Sequence, residues 1–151
     1  MSFVVAWAGF IAIISSAVLF WLLRALRLTT FSPSEQLGGI FLTDPRHPGA
    51  DSLGFFVLLV LGTLVFPEIY RWLLSAGPGV TAAWGALLGT VHGFVAAAAL
   101  PLLGTISASV RAGRTRRPGP FGRTWGRMTP VVVVAGHAVY GAVLGATLAN
   151  S

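Results

Sequence analysis

The 151-residue chain contains no cysteine and no lysine, and only four acids, Glu35, Asp44, Asp51 and Glu68. Without cysteine there is no disulfide, no thiolate nucleophile and no cysteine-ligated zinc or iron–sulfur centre. Charged residues make up 9% of the chain, against about 25% in an ordinary soluble domain, so there is too little charge to clothe a water-facing surface. Equally absent are G-x-x-x-x-G-K-[ST], G-x-G-x-x-G after a strand, H-E-x-x-H and G-x-S-x-G. Each of these marks a backbone cradle, a metal pair or an activated nucleophile. Enzyme readings lose their usual support, and the expectation is a protein that is not an enzyme.

What is present is hydrophobic residue, at 55% with mean hydropathy +0.82. This composition predicts an all-α integral membrane protein. A hydrocarbon core of about 30 Å takes about 20 residues of helix to cross, and four runs meet that length: residues 3–23, 53–73, 80–107 and 129–148. Arg24 and Arg27 close the first run instead of preceding it, which favours an uncleaved span over a signal peptide. The second is short unless it borrows from "PEIYRWLL", with Asp51 or Ser52 as its cap, Pro67 as a kink and Glu68 paired to Arg71 at i,i+3. The third has apolar sequence as far as Val110, about 46 Å of helix, so it must tilt, bend at Pro101 or protrude.

Nine of the ten arginines fall in the connections 24–51 and 108–128, and only Arg71 lies on the other side. The bias of arginine toward cytoplasmic loops places those connections in the cytoplasm and both termini outside, in a bacterial cytoplasmic (inner) membrane. In the first connection, Ser32-Pro33-x-Glu35 reads as a capping box opening a short helix. His47 with Asp44 and Asp51 reads as a solvated turn, not as a metal cluster. The second connection carries Arg111, Arg114, Arg116, Arg117, Arg123 and Arg127 with Phe121 and Trp125 interleaved. That mixture suits contact with anionic lipid headgroups or a partner protein, and not nucleic acid.

Gly85, Gly89 and Gly93 recur every four residues in the third run, and Gly141 and Gly145 do so in the fourth. Such ridges let helices approach closely in lipid, predicting that spans three and four form a tightly packed antiparallel hairpin. At 100° per residue, His92 falls about 20° from Gly85, on the glycine face. His137 shares a face with Tyr140 and Gly141. An ionisable residue inside a span is a site by default, although a neutral imidazole also serves as a hydrogen-bonding link between helices. His92 and His137 are therefore the candidate ligands for a haem or a chlorophyll-type pigment. Counted from Ser107 and Thr129, they lie about 10 Å apart in depth, which disfavours one haem shared between them.

Three functions follow from this reading. The first is an accessory subunit of a larger membrane complex, packing against other integral membrane subunits through the glycine ridges. The second is a cofactor-binding subunit of an electron-transfer or light-harvesting (photosynthesis) assembly. The third, a small transporter, lacks the buried acid that proton-coupled export uses.

Overall fold

The computed structural model describes residues 2–151, and among them there is helix and no strand. Helix α1 (Phe3–Ala25) starts where the Ser2 hydroxyl accepts from the Val5 N–H at 3.3 Å. It ends in a six-to-one turn in which Leu28 N–H reaches the Leu23 carbonyl and Arg27 takes φ +58°. That left-handed position usually belongs to glycine. Helix α2 (Pro33–Phe41) opens as expected, with the Ser32 hydroxyl accepting from Glu35 N–H. The reciprocal half of the capping box is not made, because the Glu35 carboxylate is drawn away to Arg24 at 3.0 Å.

The second membrane-length helix begins earlier than residue 53. Helix α3 (Pro48–Val60) is capped by His47, whose Nδ1 accepts from Gly49 N–H, so neither Asp51 nor Ser52 is the cap. Asp51 instead accepts from the Ser34 hydroxyl, tying α3 to α2. The two helices also meet where Gly38 lies against the Ala50 carbonyl and Gly54 against that of Ser34. A π-helical turn, Leu61–Val65, joins α3 to α4 (Phe66–Ser75), with Pro67 in the first turn of α4. Arg71 and Glu68 pair at 2.9 Å near its far end.

Helix α5 (Ala82–Ile106) runs unbroken past Pro101 and stops at Ser107, where a short α6 (Ala108–Arg111) turns away. A 3-10 turn (Pro120–Trp125) then leads to α7 (Thr129–Ala149). Four helical stretches, Phe3–Ala25, Pro48–Ser75, Ala82–Ile106 and Thr129–Ala149, are long and apolar enough to cross a membrane. Their outward faces are apolar: Phe3, Trp21, Trp72, Val95 and Leu102 are each more than 60% exposed. A water-soluble bundle puts polar residues there, so the chain has the build of a multi-pass membrane protein.

Helices α5 and α7 make the most extensive contact in the molecule. A Cβ at Gly85 meets the Gly141 carbonyl, one at Gly89 meets that of His137, and one at Gly93 sits 2.7 Å from Val134 Cα. These partners step in opposite directions along the two helices, backbone against backbone. Two buried clusters flank the middle of the bundle. One gathers Ala8, Ala12, Ile13, Tyr70, Leu74, Tyr140 and Leu144; the other, nearer the arginine-rich end, gathers Phe20, Phe31, Ala97, Leu100, Val132 and Val133.

Because the obstruction at Gly89 is backbone, no rotamer change relieves it. Gly89→Leu is expected to cost about 3 kcal/mol or more, the upper end of overpacking penalties. Leu87→Ala, at a 52% exposed position, is expected to stay within about 0.5 kcal/mol of the parent. Reversible unfolding in mixed detergent micelles checks the contrast, and equal stability of the two variants contradicts this register.

Candidate functional site

The site originates in a backbone defect. In the π-helical turn Phe66 N–H bonds to Leu61, one residue further back than in an α-helix. The Gly62 carbonyl then has only residue 67 to turn to, and proline has no N–H. Tyr140 of α7 supplies the missing donor, its hydroxyl reaching Gly62 O at 2.7 Å. The opened turn is seated on α1, where Gly9 faces Pro67 and the Gly62 and Thr63 carbonyls. Thr63 Oγ1 is buried there without a hydrogen-bond partner among the described residues. π-Turns of this kind concentrate at functional positions.

Beyond the turn, toward the arginine-rich end, α3 diverges from the bundle. Helix α4 packs against α5, but α3 does not, and α2 closes the gap from below. A cavity of about 460 Å³ occupies the wedge, within the range of small-molecule sites. Ile13, Ala17 and Phe20 wall it from α1, Leu58 and Leu61 from the second span, Ala96, Ala99 and Leu103 from α5, and Pro33, Gln36 and Leu37 from α2. A second groove of about 510 Å³, between α1, α2 and α3, shares Ala17, Phe20, Pro33 and Leu58 with it. Open space therefore flanks α3 on two sides.

His92 and His137 line the first cavity together with Phe66 and Tyr140. Their ring centroids are 4.6 Å apart in an edge-to-face arrangement, with Phe66 4.8 Å from His92. The expected depth difference of about 10 Å is thus corrected: the rings are neighbours. The reason lies in the connection. Gly122, at φ +73°, fits between Leu100 and Thr129, and Gly104 faces Pro118, so the loop folds back along α5. Helix α7 consequently starts level with Leu100 and not with Ser107. His92 lies eight residues before Leu100 and His137 eight after Thr129, which brings them to one level.

Each imidazole has its Nδ1 engaged, and among the described residues its Nε2 has no hydrogen-bond partner. His137 Nδ1 lies 2.8 Å from the Val133 carbonyl. A carbonyl only accepts, so His137 carries its proton on Nδ1 and presents a bare Nε2. His92 Nδ1 lies 3.0 Å from the hydroxyl of Tyr70, which is 2% exposed and makes no other hydrogen bond among the described residues. A buried hydroxyl donates where an acceptor exists, so Tyr70 donates to His92 Nδ1 and His92 carries its proton on Nε2. In edge-to-face contact, the two rings carry one N–H donor and one lone pair between them.

Rings in edge contact leave no space for a macrocycle between them, so one haem axially held by both does not fit. A tetrapyrrole on a single axial bond has His137 Nε2 as its only bare nitrogen here. Among the described residues no three metal-ligating side chains converge. The glycines Gly85, Gly89, Gly93, Gly141 and Gly145 are occupied inside the chain by the α5–α7 contact, with Gly145 against the Thr81 carbonyl, so they present no open ridge to another protein. Arg111, Arg114, Arg116, Arg117, Arg123 and Arg127 are exposed and make no ion pair among the described residues. Tyr70, Tyr140 and the π-turn were not singled out from sequence as site elements. Pro67 inside an apolar run was the one signal pointing to them. No family model, no curated protein and no solved structure matches the chain.

Removing the hydroxyl in Tyr140→Phe leaves Gly62 O buried and unbonded, an expected loss of about 1–3 kcal/mol. Pro67→Ala restores an N–H that Gly62 or Thr63 can use. The double variant is therefore expected to lose less than the two single losses added, with a coupling of about 1 kcal/mol in a double-mutant cycle. Strict additivity in unfolding measurements dissociates the tyrosine from the proline.

Proposed function

We propose that this chain is an integral membrane protein whose second and third spans hold a small apolar molecule entering sideways from the bilayer. In this reading spans three and four form an antiparallel hairpin. Both termini lie outside a bacterial inner membrane, and the six exposed arginines meet anionic headgroups at its cytoplasmic face, each contributing about 1 kcal/mol. The observation that carries the reading is the wedge between α3 and α5, with mostly apolar walls and His92 and His137 together in its lining. Ligand sites have this composition, mostly apolar with a few convergent polar groups. The role proposed is binding.

A subunit role in a larger complex is the second reading. It is favoured by the apolar stripe Leu87, Val91 and Phe94 on α5, each 52–59% exposed. The occupied glycine ridges no longer argue for it.

Solvent extraction of protein purified from native membranes in mild detergent, followed by mass spectrometry, is expected to yield one apolar compound near one equivalent. Ala99→Phe, which puts a ring into the wedge, is expected to remove that compound while the protein remains monodisperse. A ligand-free wild-type protein contradicts the receptacle. Fixed-stoichiometry recovery with other integral subunits, again without ligand, favours the second reading.

A further inference from the structure

We infer that the cavity selects an aromatic hydroxyl, a quinol- or phenol-type head on a hydrocarbon tail. This rests on the receptacle reading above and goes beyond it, because the two imidazoles differ in what they offer. His92 Nε2–H donates, His137 Nε2 accepts, and the rings are 4.6 Å apart. A hydroxyl both donates and accepts, so in this proposal one such group serves both nitrogens. A bare ketone or ester carbonyl uses only the donor, and a tetrapyrrole metal uses only the lone pair. Either leaves one ring nitrogen of the pair without a partner.

Two further features narrow the class. Phe66 at 4.8 Å from the His92 ring makes an aromatic wall beside the pair, suited to a flat ring by edge or offset contact. No charged residue lines this cavity, Arg24 and Asp51 lining the adjoining groove instead, and a carboxylate or phosphate head beside the histidines is disfavoured because a buried charge without a counter-charge is expensive. Ala96, Ala99, Leu103 and Leu58 also line the cavity, apolar walls that suit a hydrocarbon chain.

The test uses the full-length protein in lipid nanodiscs, with occupancy read by native mass spectrometry. The probes are a decyl-substituted benzoquinol, its di-O-methyl ether and a zinc porphyrin. The quinol is expected to bind at least about tenfold more tightly than the ether, which cannot donate. In His137→Phe that preference is expected to shrink to about twofold or less. Equal binding of quinol and ether overturns the inference and leaves the receptacle standing. Binding of no probe overturns both. A porphyrin that displaces the quinol, with an absorption shift lost in His137→Phe, also overturns it by giving the site to a metal ligand. Should His137→Phe fail to fold, nitrogen NMR of the wild-type histidine side chains decides the premise. The expected result is Nε2–H at His92 and Nδ1–H at His137; the same tautomer at both overturns the inference.

Discussion

Proline at position 67 withholds an N–H from the middle of an apolar helix, and most of the cavity-bearing half of the molecule follows from that. The local hydrogen-bond ladder slips into a π-helical turn, which strands the Gly62 carbonyl. In a low-dielectric interior such a carbonyl is costly to leave bare. Tyr140 repairs it from α7, and Gly9 lets α1 close over the turn without a side chain between them. The proline thus joins three membrane-length helices at one point. Past that point α3 departs from the bundle, and the cavity is the space it leaves.

A second constraint is how closely α5 and α7 approach. With glycine at 85, 89 and 141 the backbones touch, and everything carried on those helices is placed in a fixed register. That register sets His137 against Gly89 and Gly93, beside His92, and the returning loop fits it through Gly122 and Gly104. The loop is anchored where Thr30 N–H bonds to the Trp125 carbonyl and where the Thr29 and Thr129 hydroxyls meet at 2.7 Å. Phe31 and Trp125, 5.2 Å apart, cover that junction. This polar knot at the arginine-rich end ties the segment after α1 to the start of α7, eight residues before His137.

The pair is chemically asymmetric although both members are histidine. Their second partners differ, a hydroxyl with a proton to give for His92 and a carbonyl with none for His137. A neighbour at Nδ1 selects the state of Nε2. Such tuning lets a site read the orientation of a ligand's hydrogen-bonding group with no charge at all.

Helix number and extent were legible in the chain because apolar run length is a one-dimensional property: four runs and four membrane-length helices coincide to within a few residues, apart from the earlier start at Pro48. The Ser32 cap and the Glu68–Arg71 pair were legible for the same reason, since both join residues three apart. The placing of His92 on the glycine face followed from helical periodicity. Its neighbour did not, because that depended on the register in which α5 and α7 pair across a 22-residue connection, and register is set by contacts between residues distant in sequence. Pro67 advertised a break, but only the fold shows that a tyrosine from α7 answers it. The cavity was illegible altogether: its walls are alanine, leucine and phenylalanine, the residues that fill a core, and whether they touch or stand apart is decided by where α3 points.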